Sequence, residues 1–234
     1  MYFRMLHDEA SGAMSYLLGD LGAGEAVLVD PRGVDVPLLR AMLEEHGLRA
    51  RWVLRTHLHD DRLPKPERQR LASVDTFGAP VVARDVPADA VLPFGEELVH
   101  VLPTRGHTDH CLSFRWRDRL FCGGLLAVDA CPFQPRPALP RALWDSVTTR
   151  VFTLPPETLL FSGHARRGRA ASTVFEERRW HPWFGTAGRD EFLARLAALP
   201  PVDEAAPLPA SPPASPRSSL PSSLPSLQHG AHAP

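Results

Sequence analysis

Neither sign of charge is in excess in this sequence: 26 basic residues stand against 27 acidic ones in a chain of 234. No basic stripe is present of the kind that follows a phosphate backbone, which argues against a nucleic-acid partner. No apolar run approaches the roughly 20 residues that a membrane-spanning helix needs, so no membrane is expected. The opening stretch, Met1-Tyr2-Phe3-Arg4-Met5-Leu6-His7-Asp8-Glu9, carries acids where a secretory leader would have its apolar core. Cysteine is scarce. Cys111, Cys122 and Cys131 make an odd count with no C-x-x-C spacing, which argues against a disulfide framework and for a reducing compartment, hence the cytoplasm.

What the chain does have is histidine in telling places. His57, His59 and Asp61 alternate along Arg55-Thr56-His57-Leu58-His59-Asp60-Asp61-Arg62. Alternate side chains of an extended segment point the same way, so these donors can converge on one ion. The preceding Trp52-Val53-Leu54 is apolar and strand-like, and Leu63-Pro64 ends any regular element. Two further histidines sit in Gly106-His107-Thr108-Asp109 and Ser162-Gly163-His164.

The patterning predicts strands over 15–20 and 25–30 joined by a glycine-rich turn, with Pro31 breaking the second. A helix is expected from 36 to 46, where Leu38, Leu39, Met42 and Leu43 keep helical spacing and Gly47 is a stop signal. A strand over 51–54 then leads into the histidine motif. A loop or short helix is expected over 64–70 and strands over 79–83 and 98–102, followed by a hairpin of 111–116 with 120–122. A helix over 139–152, a strand over 158–161 and helices over 172–179 and 190–199 complete the folded part. From about residue 200 proline and serine dominate and periodicity is lost. Such a segment buries too little apolar surface to offset its ordering entropy. One domain over 1–203 and a disordered tail over 204–234 are therefore expected.

The order of these motifs resembles the metallo-β-lactamase fold. A strand pair ending in Val29-Asp30-Pro31 is followed by a helix, T-H-x-H-x-D at 56–61, G-H-T-D at 106–109 and the late Gly163-His164. The segments Trp144-Asp145-Ser146-Val147, Phe152-Thr153-Leu154-Pro155 and Ser172-Thr173-Val174-Phe175-Glu176-Glu177-Arg178 are similar to the persulfide dioxygenase branch and its relative, hydroxyacylglutathione hydrolase. The resemblance implies an α+β fold, an αββα sandwich of two mixed β-sheets flanked by helices. It implies a first metal site at His57, His59 and His107, and makes Asp61 and His164 ligands of a second, with Asp61 also carried over as a catalytic residue. Asp30 is read as a support for the ligands and Cys111 as a small buried residue.

Several positions depart from that pattern. Arg62 stands where the family has a further histidine, and an arginine cannot ligate a cation. The family's T-G-D is Cys122-Gly123-Gly124 here, so the carboxylate that bridges two metals, or completes an iron site, is replaced by Gly124. Two dications roughly 4 Å apart need such a bridge, and a single ion, Fe(II) or Zn(II), is expected. Some metallo-β-lactamases that also write H-x-H-x-D-R use a cysteine at that place; Cys122, two residues earlier, is a poor substitute. The family's glutathione-holding segment is shortened to Cys131-Pro132-Phe133-Gln134 and the tyrosine after the last histidine is missing, which leaves Arg166 as the candidate contact for an anionic substrate. The resemblance implies a small-molecule thiol or thioester substrate, and a homodimer is compatible with it. Three readings follow: a sulfur dioxygenase, a mononuclear zinc hydrolase of a thioester such as hydroxyacylglutathione, and a non-catalytic binding homologue. An aspartate at position 124, facing His57 and His107, is expected to restore the carboxylate.

Overall fold

In a computed structural model, residues 1–9, 12–58, 77–84, 86–87, 89–128, 131, 134–166, 169–186 and 188–200 are described, Ala165 and Arg166 by their backbone alone. The expected loop over 64–70 and the tail over 204–234 lie outside the described residues.

Alternation along the strands builds the layers. In β2 (Met14–Asp20) Met14, Tyr16 and Leu18 face one way and Leu17 the other. In β3 (Glu25–Val29) Val27 and Val29 face the first side, Ala26 and Leu28 the second. The second side receives α1 (Val36–Glu45) through Leu39 and Leu43. Two prolines start and precede this helix region, Pro31 and Pro37, the latter inside the first turn where its missing N–H costs nothing. Full burial of Leu39 contributes about 2 kcal/mol of hydrophobic free energy.

The first sheet runs β1-β2-β3-β4-β5, with β1 at Tyr2–His7, β4 at Arg49–Leu54 and β5 at Val81–Val82. It is mixed: β1, β2 and β3 pair antiparallel, whereas β3 with β4 and β4 with β5 are parallel. The second sheet runs β11-β10-β9-β8-β7-β6, formed by β6 (Val91–Phe94), β7 (Glu97–Pro103), β8 (Leu112–Trp116), β9 (Arg119–Gly123), β10 (Leu159–Arg166) and β11 (Arg169–Thr173). Only the β9–β10 pairing in it is parallel.

Between the sheets lies an apolar core that includes Tyr16, Leu54, Phe94, Phe114, Trp116, Phe121 and Phe161. The outer face of the second sheet, through Leu120, Cys122 and Leu160, packs on α2 (Pro140–Ser146) and the π-helical turn Val147–Val151 that extends it, α3 (Val174–Trp180) and α4 (Arg189–Ala197). The four layers are thus helix, sheet, sheet and helices, the expected αββα sandwich of two mixed sheets.

Three strands were not expected. The β1 strand is mostly exposed and its outward positions mix charge with apolar residues, so it shows no clean period; Phe3 nevertheless inserts between the sheets against Tyr16 and Phe161. The β6 strand contains Pro93, tolerated because β6 is the edge of its sheet. The β11 strand takes residues 172 and 173 from the expected helix, whose start is set at Thr173 by a capping box with Glu176.

Parallel pairing sends the C-terminal ends of β3 and β4 in one sheet, and of β9 and β10 in the other, toward one edge. The amide of Leu112 donates to the Thr56 carbonyl at 2.8 Å and ties the two sheets there. Among the described residues no helix is long and apolar enough to cross a membrane.

Candidate metal centre

The first sheet sends His57 into this edge, and the second sends His107 and His164. Past the end of β4, Thr56 is buried and His57 half-buried. Past the end of β3, Asp30 adopts a left-handed backbone, φ 47°, while its amide donates to the Leu54 carbonyl at 2.8 Å. That turn brings the Asp30 carboxylate to Thr56, whose amide donates to Oδ1 at 2.8 Å and whose hydroxyl donates to Oδ2 at 2.6 Å. The Thr56 Oγ1 also lies 2.8 Å from Nδ1 of His57. A hydroxyl has one proton. With that proton given to Asp30, Thr56 Oγ1 accepts from His57 Nδ1–H, and Nε2 keeps its lone pair for a metal. Enclosure pushes the Asp30 carboxyl above the usual carboxylate range, against the two Thr56 bonds, which pull it down.

His107 arrives on the loop after β7 and is 2% exposed. Its loop is held from several sides. Thr104 donates its amide to the Cys111 carbonyl at 2.9 Å, and the Thr108 amide donates to Cys111 Sγ at 3.1 Å. The amides of Leu139 and Ala138 donate to the carbonyls of Gly106 and His107, each at 3.0 Å. Gly106, at φ 143°, rests on α2 so closely that a Cβ there would meet the Leu143 Cα at 2.2 Å. Cys111 is therefore a buried acceptor that closes the loop, and burial raises its thiol to about 11. The rings of His57 and His107 stand with centroids 5.0 Å apart and planes at 73°.

His164, on β10, is 9% exposed and its ring centroid is 6.5 Å from that of His57. Its backbone is positioned by Ser162, whose hydroxyl donates to the His164 carbonyl at 2.5 Å, and the Tyr16 hydroxyl donates to the Ser162 carbonyl at 2.5 Å. Burial lowers the His164 imidazole to about 4, so it is a neutral donor group. His164 also lines a small cavity with Cys122, Ser162 and Glu177.

Under the two facing rings lies a floor of glycine. A Cβ on Gly123, whose φ is 53°, would meet Thr56 Oγ1 at 2.2 Å and His57 Nδ1 at 2.9 Å. A Cβ on Gly124 would meet His107 Cδ2 at 2.2 Å and Nε2 at 2.3 Å. A Cβ on Gly163 would meet His57 Cε1 at 3.2 Å. Position 124 thus faces His107, but the space for a side chain is filled by the ring. This corrects the expectation that an aspartate there simply adds a carboxylate. Gly124 lies in the turn after β9, because the positive φ of Gly123 ends the strand's alternation. Cys122 points to the helical layer instead, with its thiol donating to the Phe161 carbonyl at 3.4 Å.

His59, Asp61 and Arg62 lie outside the described residues, as does the side chain of Arg166, whose backbone pairs with Arg169 across β10 and β11. Among the described residues no three His, Cys, Asp or Glu side chains form a group that could hold an ion. The chemistry of the pair that is described fits an ion held by imidazoles: two histidines face each other and one presents an oriented Nε2. The same packing does not fit a carboxylate from position 124. In the sequence alone Thr56, Gly123 and Gly163 carry no signal of these contacts, and Gly124 reads only as a missing carboxylate.

No family model matches the chain. Among curated proteins it is 32% identical over 209 residues to the mitochondrial persulfide dioxygenase ETHE1 of Homo sapiens, over 84% of this chain and 80% of that one. It is 31% identical over 179 residues to a hydroxyacylglutathione hydrolase of Cereibacter sphaeroides, over 68% and 66% of the two chains. The crystal structure of ETHE1 from Myxococcus xanthus superposes with a TM-score of 0.72 at 32% identity, covering 86% of this chain and 92% of that one. A metallo-β-lactamase from Staphylococcus aureus superposes with a TM-score of 0.69 at 20% identity, covering 86% and 68%, a likeness of fold alone. With the same sandwich and a third of its residues shared over four-fifths of the human relative, the chain belongs to the metallo-β-lactamase-fold superfamily and, within it, to the persulfide dioxygenase family.

Proposed function

We propose that this chain is a metal-dependent enzyme acting on small sulfur compounds of the glutathione persulfide type, with one ion held by His57 and His107. His59 is assigned as the third ligand on its spacing from His57, Asp61 as a catalytic residue beside the ion, and Arg166 as a contact for substrate carboxylates. The observation that carries this reading is the chain of contacts from Asp30 through Thr56 to His57, which orients an imidazole lone pair next to His107. Histidines that ligate metals are supported in this way, through the ring nitrogen that does not face the ion. When bound, the metal supplies Lewis acidity toward a substrate sulfur or carbonyl oxygen.

The protein's own residues do the positioning. Asp30 and Thr56 keep the His57 proton on Nδ1. The Cys111–Thr108 contacts and the amides of Ala138 and Leu139, just before α2, hold the His107 loop. Cys111, Cys122 and Cys131 are buried thiols outside any disulfide, which supports a reducing compartment, the cytoplasm.

A second reading, zinc-dependent hydrolysis of a glutathione thioester, is favoured by the filled space at Gly124, since iron centres prefer two histidines and a carboxylate. A paired assay on the full chain separates the two. The protein is loaded with Fe(II) or Zn(II) and tested for oxygen uptake with glutathione persulfide and for hydrolysis of lactoylglutathione. Oxygen uptake by the iron form supports the first reading, and thioester hydrolysis by the zinc form supports the second. Ligand binding with neither turnover would make the chain a binding homologue.

A further inference from the structure

We propose that Gly124 sets the metal preference of this centre: it reserves the space that the His107 ring fills, commits the site to imidazole donors and favours zinc over ferrous iron. The inference rests on the reading of His57 and His107 as metal ligands. Its basis is steric. A Cβ at 124 would lie 2.2, 2.3 and 2.8 Å from Cδ2, Nε2 and Cγ of His107. All three are closer than a real Cβ approaches a heavy atom, so a side chain at 124 and the ring in its present place exclude each other.

The backbone that carries the ring is held in place. His107 is 2% exposed, and its backbone is held by the bonds from Ala138 and Leu139 and by the contact of Gly106 with Leu143. The hydroxyl of Ser146 adds a bond to the Arg105 carbonyl at 2.7 Å. The His57 ring stands beside that of His107, with its centroid 5.0 Å away. An aspartate at 124 would therefore displace the His107 ring from its present place and would not simply add a carboxylate beside it.

The consequence for the ion follows from donor chemistry. Neutral imidazoles hold zinc well in three-histidine sites. Ferrous iron lies below zinc in the general affinity order, and the iron sites that compete best use a carboxylate. Position 124 cannot furnish that carboxylate while His107 keeps its place, and the Asp30 carboxylate is occupied by Thr56.

The test uses the full chain and the variants Gly124→Ala, Gly124→Asp, His107→Ala and His107→Ala/Gly124→Ala. Zn(II) and Fe(II) affinities are measured by competition with a chromophoric chelator under anaerobic conditions, and melting temperatures are measured without metal. The wild-type protein is expected to take zinc in preference to iron. Gly124→Ala is expected to lose about 10-fold or more in zinc affinity, as when the support of a ligand is disturbed. It should also melt lower without metal, and that penalty should shrink in the His107→Ala background, since the obstacle is then gone. Gly124→Asp should bind Fe(II) no more tightly than the wild type.

An iron affinity raised by Gly124→Asp with zinc affinity retained would overturn the proposal, as would a Gly124→Ala protein equal to wild type in both readouts. If Gly124→Ala does not fold, recovery in the double variant supports the proposal and failure to recover overturns it. A wild-type protein that takes neither ion would defeat the metal-centre reading and the preference with it, while the metal-free cycle would still report the Gly124–His107 packing.

Discussion

The hydroxyl of Thr56 lies between two partners, 2.6 Å from Oδ2 of Asp30 and 2.8 Å from Nδ1 of His57, and its single proton goes to the carboxylate. Replacement by valine keeps the shape but removes both interactions. Thr56→Val should lower metal affinity roughly 10- to 100-fold, the usual effect of losing a ligand's hydrogen-bond partner. It should also destabilise the metal-free protein by about 1–3 kcal/mol, because the enclosed Asp30 oxygen loses its donor. Thr56→Ser should retain most of both. Chelator competition and urea unfolding check these outcomes; a valine variant with wild-type affinity would mean that the His57 tautomer is set by something else.

Metal content offers a second check. The family's bridging carboxylate is absent at Gly124, and Arg62 stands in place of a further histidine ligand. We expect no more than one tightly held ion per chain after dialysis. Elemental analysis returning two equivalents would show that a second site is complete without those ligands.

The pH dependence of stability should carry the mark of His164. Burial lowers its imidazole from 6.5 to about 4. A depressed folded value means that the unfolded chain takes up the proton first as pH falls. The stability contributed by keeping this group neutral is thus complete above pH 6.5 and is lost down to about pH 4. The loss attributable to His164 should be on the order of 2 kcal/mol by pH 5. Urea unfolding of metal-free protein at pH 7 and pH 5 measures it, and His164→Gln should show a correspondingly smaller decline. Equal declines in the two proteins would remove His164 as the source.

Cys111 should be chemically quiet. It is 3% exposed, receives bonds from Thr108, and its thiol is raised to about 11 by burial. The thiolate is the reactive form, so iodoacetamide at pH 8 should leave Cys111 unlabelled in the native protein and label it in urea. Rapid native modification, located by mass spectrometry, would contradict its role as the closure of the His107 loop.

Much of this architecture is local information. Alternation in 15–20 and 25–30, helical spacing over 36–46 and the proline and glycine at its ends are set by neighbouring residues, and these elements form where the pattern places them. The helix expected over 139–152 forms as α2 with its π-helical continuation. The motif order was enough for the superfamily and its sulfur-handling branch, because several blocks in sequence carry more information than any one histidine. The strands β1 and β6 escaped notice for the opposite reason. An edge strand needs only one buried side and few of its residues, so its period is faint.

The packing around the histidines could be decided only in three dimensions. Asp30 meets Thr56 across 26 positions of sequence, and the link depends on the left-handed turn after β3 and the parallel pairing of β3 with β4. Gly124 was legible as a missing carboxylate, yet its contact with His107 was not, because that contact depends on a loop pressed against α2 from a different part of the chain. A sequence determines which donors are available and which are missing. The mutual exclusion of a ring and a side chain is a matter of atomic volume at a long-range contact, and it is the tertiary fold that brings the two atoms to the same place.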